Sequence, residues 1–295
     1  MSAGRIPVAC CGQVGDREYR EKEAMRATKT APSIEDLALF DTCVTLGYMT
    51  AGVPSLTADS ILATMDKHDI VEALVHNNEA RVSYPRERGN RRLLEWVRGS
   101  ERLHPVWALE SPADPSPQAA RAVVEEMLAS GVHAARLMMG VAPPLLWLWD
   151  GLCTALEEHR IPCFLDFADT RVHTTATTQS EPNDLHIHNL RDICLAHPHL
   201  PMILSHVSGG LGISYTALPL MRRVPNLHLD ITCVVDYWRR VAQEMGAQRV
   251  VFATGMPFYD PAMFASNVQY ARGLDLEEKR AICGGNVRRL LEAVR

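Results

Sequence analysis

Eight short runs of β-branched and apolar residues recur along this chain, with amphipathic stretches of helical period between them, and no other feature of the sequence limits its fold so tightly. The runs are LFDTCVT (39–45), IVEALVH (70–76), LHPVWAL (103–109), HAARLMM (133–139), IPCFLDF (161–167), PMILSH (201–206), NLHLDIT (226–232) and RVVFAT (249–254). A strand covered on both faces reads as a nearly continuous apolar run, and joining two such strands in parallel takes a crossover that an amphipathic helix supplies. Eight consecutive βα units predict a (β/α)8 TIM barrel over residues 37–295. An open doubly wound sheet is the alternative, but its glycine-rich first crossover, G-x-G-x-x-G, does not occur. Helix starts are expected at Thr57, at Ser116 followed by Pro117, and at Asn183, with Gly131 as a helix stop. Residues 1–36 carry neither periodicity and read as an N-terminal arm outside the barrel, with subunit contacts in a homo-oligomer as one use for it.

The composition, 47% hydrophobic and 22% charged, is that of an ordinary globular protein. A net charge of -5 argues against nucleic acid as a partner, because phosphate-binding surfaces are strongly basic. No apolar run reaches the roughly 18 residues of a membrane helix, so no membrane association is expected. The first residues pass from a brief apolar patch into dense charge of both signs, unlike a signal or transit peptide, which points to the cytoplasm and to eight cysteines kept as thiols.

Three segments then narrow the reading: LFDTCVTLG at the first strand, PMILSHVSGG at the sixth, and VVFATGMPF with EEKRAICGGNVRRLLE at the eighth strand and closing helix. Together, in this order, they resemble the amidohydrolase superfamily. The resemblance is to the amidohydrolase-related (amidohydrolase 2) family of TIM-barrel metal-dependent hydrolases, a branch that also holds metal-dependent decarboxylases. It implies a divalent metal, often Zn2+, held by two first-strand histidines, a fifth-strand ligand, a sixth-strand histidine and an eighth-strand aspartate. In this chain those positions carry Cys43, Thr45, Asp166, His206 and Gly255. One imidazole and one carboxylate do not fill a tetrahedral Zn2+ site, so the expectation is a degenerate site with no metal at the usual place and no cofactor. A displaced Zn2+ site built from Asp166, Asp230 and His206 is the alternative.

Active sites of such barrels lie at the C-terminal strand ends. There the expected catalytic residues are Asp166 and His206, at the ends of neighbouring strands, with the carboxylate orienting an imidazole that works as general base. His76, Arg136, Asp230 and Arg171 are the expected substrate-binding residues, and the arginines suit a small anionic molecule because guanidinium binds carboxylate bidentately. His197 and His199, in the turn before the sixth strand, read as surface residues. The functional expectation is a hydrolase acting on a small organic acid, lactone, ester or amide without the usual metal centre. One alternative is a catalytically inactive barrel that binds a small molecule or a partner. The second is a metal-dependent decarboxylase.

Overall fold

A computed structural model of the chain describes residues 31–49, 53–82, 85–111, 114, 116–139, 142–166, 184–205, 217–232 and 237–295. Its strands are β1 (Leu39–Leu46), β2 (Ile70–Asn77), β3 (Leu103–Pro105), β4 (Trp107–Leu109), β5 (Ala135–Leu137), β6 (Cys163–Asp166), β7 (Met202–Ser205), β8 (Leu227–Asp230) and β9 (Val250–Val251). Every expected run contains a strand, and the third contains two, β3 and β4, separated at Val106. All pairings are parallel.

The ladders fall into two sheets, β1-β2-β3 and β4-β5-β6-β7-β8-β9. Backbone hydrogen bonds cross both seams. At the interrupted strand Val106 donates to Val75 (2.8 Å) and Trp107 to Ala134 (3.3 Å), while Thr42 donates to Phe252 (3.0 Å) and Thr45 to Met256 (2.8 Å), tying the eighth strand position to the first. The architecture is a (β/α)8 fold.

The helices begin where their caps allow. Thr57 Oγ1 accepts from the Ser60 amide (3.2 Å) and Ser60 Oγ from the Thr57 amide (2.9 Å), a capping box for the helix Ala58–Lys67. Ser116 caps Pro117–Ala129, and Gly131, with φ of 74°, follows its end. The Asn183 start lies outside the described residues, as do residues 1–30 of the expected arm. Just before the barrel, the Pro32 carbonyl accepts from Gln269 and the Asp36 carbonyl from Arg280. Among the described residues, no helix is long and apolar enough to cross a membrane.

Strand alternation sorts the core into two parts. Outward residues such as Val75, Leu137, Leu165 and Leu229 join the large cluster beneath the helices. Inward residues Phe40, Leu74, Val106, Ala134, Phe164, Ile203 and Val251 form a separate cluster inside the barrel, into which Val287 and Leu290 of the helix Asn286–Glu292 pack. Asn286 fixes that helix by donating to the carbonyls of Ala247 (2.8 Å) and Val250 (2.7 Å). In β1 the alternation changes phase. Phe40 belongs to the inner cluster, yet Val44 and Leu46 belong to the outer one, and the register shifts between Asp41 and Val44. This irregularity turns Cys43 and Thr45 toward the interior.

His197 departs from its expected place. It is 3% exposed, with its ring nitrogens 3.2 Å from both Asp150 and Glu157. The turn that carries it packs against the helix Leu146–Glu158, so a segment polar in composition is buried by its carboxylate partners.

Candidate functional site

Two residues beyond the inner apolar cluster, the same strand faces carry polar side chains. Ala134 is followed by Arg136, Phe164 by Asp166, Ile203 by Ser205 and Leu74 by His76, all buried. Arg136 reaches across the interior. Its Nη1 donates to Asp166 Oδ2 (3.3 Å) and its Nη2 lies 3.4 Å from Cys43 Sγ and 3.5 Å from Ser205 Oγ. A second guanidinium meets the same carboxylate: Arg81 Nε donates to Asp166 Oδ2 (2.7 Å) and Nη2 to Oδ1 (3.4 Å). Arg81 stands on the helix Asn78–Val82, directly after β2, and Arg86 braces this helix by donating to the carbonyls of Ala80 (2.7 Å) and Arg81 (2.8 Å) while pairing with Glu110 (3.0 Å). Among the described residues, Arg136 Nε is buried with no hydrogen-bond partner.

On the other side of the interior, Thr45 Oγ1 and His76 Nε2 are 2.9 Å apart. Asp230 Oδ1 accepts from the amide (2.9 Å) and hydroxyl (2.6 Å) of Thr232. Asp41 accepts from the amides of Cys43 (3.0 Å) and Thr254 (2.9 Å) and from the Thr254 hydroxyl. Burial raises the Asp41 carboxyl to about 7; the bonds from Thr254 and Cys43 oppose the rise and the Asp230 charge adds to it. Burial also pushes the Cys43 thiol up to about 11 despite the neighbouring Arg136 charge. Cys43 is therefore a thiol at neutral pH and a weak nucleophile.

Of the residues expected from sequence, the structure brings Cys43, Asp166 and Arg136 together, and sets Thr45 against His76. Asp230 acts electrostatically on Asp41, Cys43 and Arg136. Gly255 is buried, with φ of 70°, and contributes no donor side chain. His206 and Arg171 lie outside the described residues, and so does the expected pairing of Asp166 with His206. Sequence reasoning passed over Arg81, Asp41 and Ser205. Of these, only Ser205 carried a signal in the sequence, its alternation with Ile203.

A parallel barrel with buried charged side chains at the C-terminal strand ends is the arrangement of a TIM-barrel enzyme family. The chain belongs to the amidohydrolase family, whose model matches residues 52–293. The sixth- and eighth-strand segments lie inside this match; LFDTCVTLG precedes it. No curated protein matches the chain. Several solved structures share the fold. An uncharacterised TIM-barrel protein from Bordetella bronchiseptica has 16% identity and a TM-score of 0.66, covering 86% of this chain and 98% of that one. A dihydroxybenzoic acid decarboxylase from Polaromonas sp. JS666, solved with manganese and the inhibitor 2-nitroresorcinol, has 17% identity and a TM-score of 0.65, covering 86% and 97%. A 5-carboxyvanillate decarboxylase from Novosphingobium aromaticivorans, solved with manganese and a nitrobenzoic acid, has 12% identity and a TM-score of 0.64, covering 86% and 96%.

These manganese-bound structures overturn the expectation of no cofactor for this chain. That expectation counted substitutions against the needs of tetrahedral Zn2+. Manganese is a harder ion that suits carboxylate, carbonyl and water oxygens in an octahedral shell, so a count made for zinc does not decide the matter. In this chain the described family positions do not themselves compose a manganese shell. Cys43 is a buried thiol, Gly255 has no side chain, and Asp166 is paired with two guanidiniums. Among the described residues, no three His, Cys, Asp or Glu side chains gather as a metal site requires.

Proposed function

We propose that this chain binds a small organic carboxylate at the C-terminal face of its barrel and releases CO2 from it. The observation that carries this reading is the convergence of Arg81 and Arg136 on Asp166, with the buried Arg136 Nε–H unshared among the described residues. A fixed, desolvated guanidinium edge is suited to a carboxylate and cannot deprotonate. Hydrolysis requires an activated water, and the family position of the aspartate that accepts its proton is Gly255 here. Loss of CO2 needs no water nucleophile. The bond to the carboxyl carbon breaks, its electron pair stays on the substrate carbon, and that carbon takes a proton. In this reading His206, the retained family histidine, carries the proton, while Asp166 holds the two arginines in place. The fold shared with decarboxylases of dihydroxybenzoic acid and 5-carboxyvanillate supports an aromatic acid as substrate.

One observation favours binding without turnover: the charge of Asp166 is already engaged by two guanidiniums, as in a structural ion pair. The test offers the protein hydroxylated benzoates and their ester and amide counterparts, with Mn2+ supplied, and measures CO2 by headspace mass spectrometry alongside hydrolysis products. Benzoate-dependent CO2 release is expected. In Arg136→Lys, which keeps the charge but loses the fork, the apparent affinity should fall about tenfold or more. Ester or amide cleavage without CO2 would restore hydrolysis as the reading, and benzoate binding with neither product would establish a binding barrel.

A further inference from the structure

A cavity of about 820 Å³ opens at the C-terminal ends of β1 and β2, with none of Arg81, Arg136 and Asp166 in its lining. Its wall runs from Gly47 and Tyr48 through Leu56 and Ala58 to Val82 and Trp96. The size lies within the range of small-molecule sites. Several large apolar groups are left facing it with substantial exposure: Tyr48 at 83%, Val82 at 43% and Trp96 at 36%. The strand end is shaped to admit the indole. Gly47 has φ of 96°, and a Cβ there would lie 3.0 Å from the Trp96 ring and from Asn77 Oδ1. The loop that follows is pinned at its stem, where the Gly47 amide donates to Leu56 (2.9 Å).

Of the polar groups lining the cavity, Glu79, Arg92, Asn77 and Asn78 are paired within the protein, Ser55 and Thr57 are engaged by Met49 and Ser60, and Asp59 stands exposed at the rim. The two carboxylate oxygens of Glu79 are met by Arg88 (3.1 Å) and Arg92 (2.5 Å), and Asn77 Oδ1 accepts from the Glu79 amide (2.9 Å). Asn77 Nδ2 donates to the Gly89 carbonyl and Asn78 Nδ2 to the Tyr48 carbonyl, each at 2.8 Å. An anionic ligand would have to break these pairs and would be repelled by Asp59, whereas an apolar one loses only water. We infer that this cavity is a second binding site, distinct from that of Arg81, Arg136 and Asp166, and that it takes an uncharged aromatic molecule stacked on Trp96.

The probe is N-phenyl-1-naphthylamine, a neutral diarylamine that fluoresces when removed from water. Saturable one-to-one binding is expected, with a dissociation constant on the order of 0.1 mM or tighter for a ligand of that size. Ala58→Trp, which fills the cavity, and Val82→Glu, which charges its exposed wall, should each weaken binding at least tenfold with unchanged melting temperature. Val123→Glu, on the helix Pro117–Ala129, should leave it unaltered. Arg136→Lys should leave it unaltered too, so this result stands or falls separately from that for carboxylate binding. Absence of saturable binding overturns the inference. So does binding indifferent to both cavity variants, or self-association, seen by light scattering, that abolishes probe binding.

Discussion

Two residues separate the lower part of the barrel interior from the upper part on strand after strand, and the chemistry reverses. Below, Ala134 and Phe164 meet Leu74 and Ile203; above, Arg136 and Asp166 form an ion pair shielded from water. Alternation along a strand decides which positions point inward, but not what they hold. The lower layer contributes the apolar burial that favours the folded state. The upper layer works against it, because desolvating charged groups costs several kcal/mol each and pairing recovers this only with good geometry. A barrel selected only for stability has little reason to keep the upper layer, so its charges point to function.

The comparison is tested most severely in the lower layer. Phe164→Ala removes a fully buried ring and should destabilise the protein by about 3–5 kcal/mol in urea denaturation. A loss below about 1 kcal/mol would mean that the inner cluster is not a packed core.

The upper layer should appear in the dependence of stability on pH. Asp41 rises from 3.8 to about 7 on folding, so between those values the native state holds a proton that the unfolded chain has released. The contribution of this group to stability therefore decreases as pH rises through that window, by on the order of 4 kcal/mol. Buried His228 acts with the opposite sign. It falls from 6.5 to about 4 on burial, so its contribution is lost as pH drops through that interval. The two windows overlap and largely offset each other in the wild type, so Asp41→Asn should leave the His228 contribution unopposed, and the variant's stability should climb between about pH 4 and 6.5 when denaturation midpoints are compared at successive pH values. A wild-type slope in the variant would assign the offsetting decline to another group.

Arg136→Met should have a smaller effect, about 2–3 kcal/mol, since Asp166 keeps its contact with Arg81. Adding Asp166→Asn to that variant should be less damaging than the sum of the two single changes, which a double-mutant cycle would measure.

The strands and their order were legible because each is covered on both faces and so reads as an apolar run bounded by helix signals. The break at Val106 was not, since LHPVWAL looks like one continuous strand and only the hand-over between neighbouring strands divides it. Arg136 and Asp166 were legible as charged residues at inward positions of apolar strands. Arg81 was not: it sits in NNEARV, a segment with the composition of a surface loop, and its burial depends on Arg86 and Asp166, which are distant in sequence or in element. His197 misled for the same reason, because composition reports the cost of burying a polar group and says nothing of partners that offset it. Asp41 was overlooked because attention fell on the ligand positions Cys43 and Thr45, although its own hydrogen bonds to Thr254 fasten the first strand to the eighth.

The irregularity between Asp41 and Val44 works like a shift of reading frame within a single strand. Upstream, one phase delivers Phe40 to the apolar floor; downstream, the other delivers Cys43 and Thr45 to the chamber above it. What the first strand presents to a ligand is thus encoded in a single extra residue as much as in the identities of the side chains. Substituting Cys43 or Thr45 edits one letter of that message, whereas deleting a residue between Asp41 and Val44 would restore the regular pleat and exchange the chamber-facing letters for those now packed beneath the helices.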